Sequence, residues 1–256
     1  MYALAAGAAG RDHLGIASAR IGGGIATSVI RDDSGFWSKC LGLGVTQPVS
    51  ASVIGEVVDF YRAHGRTAAT FQIAPDLLPP DWEEIAAANG LTGSGHWVKL
   101  ACDVGQYVPG TTELRVAAVG PGEAGLACQV LAAGFGMSAE VVSALYLPSL
   151  ASNDFQAFAA WDDARMVASA ALRVMGETGQ MYGAATLSQW RGRGAQSALL
   201  AARAEVARRA GCRWLVAETG LPELGAVNPS LDNMVRAGFE VLYQRRNWIW
   251  KDPGHR

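Results

Sequence analysis

Charge of either sign is scarce in this 256-residue chain, and what there is nearly cancels. Only 17% of residues are charged, 21 basic against 23 acidic, for a net charge of −2. Such a balance leaves no broad phosphate-binding surface, so nucleic acid is excluded as a default partner. Cysteine is also sparse. Cys40, Cys102, Cys128 and Cys212 stand far apart, form no CxxC pair, and do not cluster with the four histidines. The spacing of a zinc site is missing, so no metal is expected, and the four read as small buried hydrophobes in a reducing compartment. Long apolar runs are missing as well. The longest uncharged stretch lies between Glu123 and Glu140, is interrupted by Gly125, Gln129, Gly134 and Gly136, and is too short to span a bilayer. The alanine-rich opening lacks the basic region that precedes a secretory leader. A cytoplasmic protein without a membrane partner is expected. What is present in quantity is hydrophobic sequence, 50% of the chain, which fits a globular protein of one large or two small domains.

Two stretches of the chain share an order of elements. In the first, Ser50 or Ser52 caps a helix whose apolar residues Ile54, Val57, Val58 and Tyr61 recur at helical spacing until Gly65. A strand at 68–73 follows, then a helix from Asp81 that stops at Asn89-Gly90, then the strand His96–Leu100. In the second, a helix from Gly194 to Ala210 places Ala195, Leu199, Ala202, Val206 and Ala210 on one face and leaves Arg203, Glu205 and Arg208 off it. Gly211 ends that helix. A strand at 213–218, a helix at 230–236, Gly238 and a strand at 240–250 complete the series. The helix-stopping glycines are 25 residues apart in the first stretch and 27 in the second. The match implies duplication of one α/β unit, with a boundary near Pro109-Gly110: a first domain over 1–110 and a second over 111–256. Upstream in the second domain, a strand at 113–119 and two helices precede three strands, 155–161, 165–174 and 180–187. The turns between them, Asp162-Asp163 and Gly176–Gly179, predict an antiparallel meander.

The segment that carries chemistry is Gln189-Trp190-Arg191-Gly192-Arg193-Gly194-Ala195-Gln196. It follows a strand and opens a helix, whose first turn has unpaired N–H groups and the positive end of the dipole. Glycines there let the backbone approach a phosphate, and the arginines add charge. A P-loop would need Gly-Lys-Ser/Thr, and a dinucleotide fingerprint would need glycine where Ser197 stands. By contrast Gly22-Gly23-Gly24 has no helix pattern after it and reads as a turn or a flexible strand end. Trp161 and Trp248 are candidates for a substrate pocket. Most of the eight tryptophans read as core.

Gln-x-x-Gly-x-Gly/Ala between strand and helix resembles the acetyl-CoA-binding motif of GCN5-related N-acetyltransferases, the GNAT superfamily. Ser230-Leu231-Asp232-Asn233 with Gly238-Phe239 is similar to the helix and strand start that close that family's cofactor site. The resemblance covers about 112–250. It implies an α/β fold of two tandem GNAT-like mixed units, the C-terminal one with a splayed mixed sheet whose wedge takes pantetheine. It implies that Gln189, Arg191, Gly192, Arg193, Gly194 and Ala195 hold the pyrophosphate of acetyl-CoA or another acyl-CoA, with Ser230 and Asn233 near the pantetheine arm. The first domain looks like a degenerate copy: Gly44-Val45-Thr46-Gln47-Pro48-Val49-Ser50 stands where the cradle should be, without the glycine pair or an arginine, and Pro48 removes one N–H.

The implied reaction is transfer of an acyl group, most simply acetyl, to the amine of a small-molecule acceptor. Glu218 is the candidate base, and Tyr182, on the other bordering strand, the candidate proton donor. Met234 occupies the position where many family members carry a tyrosine acid, and a thioether donates no proton. Two alternatives stand beside this reading. One is an enzyme that takes its thioester from an acyl-carrier protein docked on Arg203, Arg208 and Arg209. The other is a non-catalytic acyl-CoA sensor.

Overall fold

The computed structural model describes residues 7–254; Met1–Ala6, on which the reading of the N-terminus partly rests, lie outside them. The chain forms two compact units. One comprises the residues up to Trp97 together with those from Tyr243 onward, and the other is Val98–Leu242. This differs from a division at residue 110, because the last strand of the chain belongs to the first unit and a strand from before residue 110 reaches the second.

In the first unit, α1 (Ala8–Leu14) leads into the hairpin β1 (Ile16–Ile21) and β2 (Gly24–Val29). Gly22 and Gly23, at φ 59° and 76°, make its two-residue turn, as the glycine run predicts. β3 (Lys39–Leu41), α2 (Ala51–Ala63), β4 (Ala68–Gln72), α3 (Trp82–Ala88) and the first part of β5 (Leu91–Asp103) follow. Gly65 and Gly90 sit just beyond the helices at φ 67° and 72°, where a left-handed residue closes a helix end without penalty. The strand order is β1-β2-β3-β4-β11-β5, with β11 (Glu240–Lys251) antiparallel to β4. The apolar face of α2 (Ile54, Val57, Val58, Tyr61) packs with Phe71, Trp82, Trp248 and Trp250. Trp248 meets Trp82 edge to face and is core, not a pocket wall.

The second unit takes the rest of β5, then β6 (Arg115–Ala118), α4 (Ala124–Phe135), α5 (Ala139–Tyr146), β7 (Phe155–Asp162), β8 (Arg165–Met175), β9 (Thr178–Thr186), α6 (Ala195–Arg209), β10 (Trp214–Gly220) and α7 (Pro229–Arg236). The order is β5-β10-β9-β8-β7-β6, and β7, β8 and β9 form the expected antiparallel meander. β8 is buried without a break from Met166 to Leu172, as a central strand covered on both faces should be. Alternate residues of β5 (Val98, Leu100, Cys102) enter this core. Trp161 is buried in a cluster with Ala127 and Val130 and lies under Arg115, so it too is core. All four cysteines are buried and unpaired. Among the described residues no helix is long and apolar enough to cross a membrane.

The series β3-α2-β4-α3-β5 and β9-α6-β10-α7-β11 repeat one order, with one difference in strand pairing. In the first unit β3 and β4 pair in parallel along all of β3, from Lys39↔Thr70 to Leu41↔Gln72, and the two strands end together. In the second, β9 and β10 pair only at Trp214↔Thr178, Leu215↔Gly179 and Val216↔Gln180, although β9 runs on to Thr186 and β10 to Gly220. The cause lies on β9. Its register with β8 jumps from Ala171↔Tyr182 to Ser169↔Ala185, so Gly183 and Ala184 together face Ala170. Such a bulge bends its strand and leaves a residue out of the ladder. Gly183 takes φ 34° there, which a side chain would resist. The bent strand leaves β10, and a wedge opens between them.

Candidate active site

Tyr182 lies two residues past the last β9 partner, Gln180, and Glu218 two residues past the last β10 partner, Val216. The two therefore stand opposite each other at the start of the wedge, near enough that the Glu218 charge acts on the phenol. On β10, Leu215 and Ala217 face the core, so Glu218 faces the other way and is partly exposed. Burial pushes the Tyr182 hydroxyl up to about 12, against a downward pull from Arg173. It is protonated at neutral pH.

Beyond the open end of β9, the turn Ser188–Trp190 leads through Arg191 to Gly192 and Gly194, at φ 80° and 77°, and Gly194 is the N-cap of α6. No side chain caps that helix, so its first-turn N–H groups are left for an external acceptor. A side-chain carbon on Gly192 would meet nothing within 4 Å, whereas one on Gly194 would lie 2.5 Å from the Thr111 carbonyl oxygen. Gly192 therefore faces open space and Gly194 is a close approach. Two shallow grooves flank the loop, one lined by Arg165, Gln189 and Arg191 among others, the other by Thr111, Thr112, Glu113 and Arg193. These features fit a pyrophosphate.

The two arginines differ. Arg193 donates from Nη1 and Nη2 to the Asp162 carboxylate, at 2.8 and 2.9 Å, and its carbonyl accepts from Thr112 Oγ1 at 2.6 Å. Asp162 also accepts from Trp190 Nε1 at 2.8 Å. Arg193 thus ties the loop to the end of β7. Arg191 donates to the Thr186 carbonyl at the end of β9, and Arg165 lies over the Trp190 ring. The hydrogen bonds from Arg193 and Trp190 hold the Asp162 carboxyl down at about 2. Since this value is lowered by folding, the tether is complete above the ordinary carboxylate range near 3.9 and is lost as pH falls through about 2. A carbon-detected NMR titration is expected to show this midpoint, and Arg193→Ala to raise it toward the ordinary value. A midpoint that Arg193→Ala leaves in place would dismiss the pairing.

Ser230 and Asn233 are drawn to the start of α6 through Gln196. Gln196 Nε2 donates to Ser230 Oγ at 2.6 Å, and Asn233 Nδ2 donates to Gln196 Oε1 at 2.7 Å. Asn228 caps α7 by accepting from the N–H groups of Ser230 and Leu231, and donates to the Gly220 carbonyl at the end of β10. In the sequence Gln196 ends the glycine segment without a sign of this role, whereas Asn228 carries a local signal, since an Asn-Pro before a helix is a cap. Met234 is buried in the core.

Arg203 corrects the helix face read from the sequence. It is 1% exposed, in line with Ala195, Leu199 and Ala207, and so takes no part in a docking surface. Arg208 and Arg209 both bond to Glu205. Of the other residues expected on the buried face, Ala202 and Val206 are only partly buried at its margin and Ala210 is exposed.

In the first unit the corresponding loop is filled by its own chain. Ser50 Oγ accepts from the Val53 N–H and caps α2, and a side-chain carbon on Gly44 would lie 2.7 Å from Leu77 Cβ.

A bent mixed sheet opened between two parallel strands, with a glycine loop at the next helix, is the frame of the second unit. Residues 136–228, within the second unit, match the acetyltransferase (GNAT) family, and the chain has a tandem GNAT fold. A GCN5-related N-acetyltransferase from Kribbella flavida aligns with TM-score 0.65 at 18% identity, over 93% of this chain and 90% of that one. A GCN5-related N-acetyltransferase from Sphaerobacter thermophilus aligns with TM-score 0.64 at 14% identity, over 94% and 84%. A tandem GNAT protein from the clavulanic acid biosynthesis pathway aligns with TM-score 0.61 at 17% identity, over 89% and 78%. No curated protein matches in a sequence comparison.

Proposed function

We propose that this chain transfers an acyl group, most simply acetyl, from a CoA thioester to the amine of a small-molecule acceptor, using the second unit alone. The observation that carries this reading is the wedge, with Glu218 and Tyr182 on its two walls and the uncapped start of α6 at its end. The loop N–H groups bind the pyrophosphate, assisted by Arg191, while Arg193 keeps the loop in place. The Gln196 clamp sets Asn233 and Ser230 beside the arm. The N–H groups released at the β9 bulge receive the thioester oxygen. The amine attacks the carbonyl carbon, a C–N bond forms and the C–S bond breaks. Glu218 takes the proton from nitrogen, and the departing sulfur is protonated from solvent. Tyr182 supports that departure as a hydrogen-bond donor. With its hydroxyl near 12, full proton transfer to a thiolate, whose thiol titrates near 8.5, is uphill.

A CoA donor is favoured over an acyl-carrier protein because the cradle suits a diphosphate and the arginines offered for docking are buried or paired. Four buried, unpaired cysteines suit the cytoplasm. Calorimetry with CoA is expected to give one site per chain. Gly192→Glu should weaken it at least about tenfold, or about 1.4 kcal/mol, by placing a carboxylate beside the cradle. Gly192 is the better probe, because any side chain at Gly194 also collides with Thr111. Two sites per chain, or unchanged affinity, would refute the assignment. Thiol release from acetyl-CoA in the presence of an amine panel separates the enzyme from a sensor that binds without turnover.

A further inference from the structure

We propose that Arg203 is a positioning residue for acyl transfer: from inside α6 it fixes and polarises the Tyr182–Gly183 peptide at the bulge that faces the thioester. This rests on the function proposed above.

Arg203 is almost fully buried, and its acceptors among the described contacts are main-chain carbonyls. Nε donates to Leu199 O at 2.9 Å, and Nη1 to Ala171 O at 3.1 Å and to Tyr182 O at 3.3 Å. Ala171 and Tyr182 are the last matched pair before the register of β8 and β9 breaks. One nitrogen therefore staples both strands at the point where the bulge begins. A helix residue of ordinary packing would be Ala or Leu here, like its neighbours Leu199 and Ala207. Burying a guanidinium is costly unless it is well bonded. The location of its bonds gives the cost a purpose.

The peptide joining Tyr182 to Gly183 is trans, as are all described peptide bonds. Its N–H therefore points away from its carbonyl. A cation bonded to the carbonyl draws electron density toward oxygen and makes the N–H of Gly183 a stronger donor. Gly183 is one of the two residues opposed by Ala170 alone, where the ladder leaves an N–H unused. Tyr182 is also the residue opposite Glu218. Arg203 thus sets the donor on the same stretch of strand that faces the base.

The test uses full-length protein and acetyl-CoA labelled with carbon-13 at the carbonyl. Isotope-edited infrared spectroscopy reads the carbonyl stretch of the bound thioester, and calorimetry reads affinity for CoA. The wild-type protein is expected to lower the stretch below its value in water. Arg203→Met should lose most of that shift with CoA affinity within about threefold, and Arg203→Lys should recover part of it. Turnover should fall at least about tenfold in Arg203→Met, with KM for acetyl-CoA little changed. If Arg203→Met does not fold, Arg203→Lys decides, since an ammonium reaches fewer of the carbonyls and its shift should lie below that of the wild type. A shift equal to the wild-type one in any folded variant overturns the proposal. Wild-type protein that binds no acetyl-CoA overturns instead the functional reading on which it rests.

Discussion

Glu218→Gln is expected to lower the turnover of acyl transfer by about a hundredfold or more, the usual weight of a positioned general base, while affinity for CoA stays within about twofold. The side chain keeps its shape and loses only its capacity to take a proton. Glu218 stands on β10, across the wedge from Tyr182 and away from the α6 loop, so the cradle should not register the change. An amine acceptor arrives largely protonated at neutral pH, and attack requires a free lone pair. Loss of the carboxylate should therefore be partly offset at high pH, where solvent deprotonates the amine. The mutant's rate should climb more steeply with pH than the wild type's. Tyr182→Phe should cost much less, within about tenfold, since only a hydrogen bond to sulfur is lost. Equal rates for Glu218→Gln and wild type across pH would remove Glu218 from the chemistry.

The parts of this site that were legible in the sequence are those written in local signals. Gly192 and Gly194 are visible because a strand precedes them and a helix follows, and both take the left-handed conformation that their identity allows. The meander was legible through its turns, and the duplication through Gly65, Gly90, Gly211 and Gly238, all of which close helix ends at positive φ. Arg203 was not legible as a buried residue. Helix α6 is rich in alanine on more than one face, so its apolar stripe is weakly defined, and charge was allowed to decide the orientation. The spacing Ala195, Leu199, Arg203, Ala207 was the available signal. The bulge was hidden because a two-against-one register is a property of a strand pair, not of one strand. The same holds for Arg193, whose partner Asp162 is 31 residues away.

Membership of the terminal strands was the least legible feature, because alternation shows that a strand has a buried face and does not show which core receives it. That ambiguity supplies the second large effect. A fragment of residues 111–256 is expected to be insoluble, and one of residues 98–242 soluble. The shorter cut at 111 removes Val98, Leu100 and Cys102, which are 1%, 0% and 3% exposed in the core of the second unit. At about 1.5–3 kcal/mol for each large apolar side chain, their loss approaches about 5 kcal/mol, and a domain has only about 5–15 kcal/mol in all. The same fragment retains Trp248 and Trp250, which are buried against Tyr61, Phe71 and Trp82 of the first unit. Without those residues the two indoles form part of an exposed apolar patch that invites association. Sedimentation and CoA calorimetry on both fragments decide the matter. A monomeric 111–256 with wild-type affinity would show that β5 is dispensable to the second unit. A soluble 98–242 that binds CoA would show that the whole cradle, from the β9 bulge to the Gln196 clamp, is built without β11.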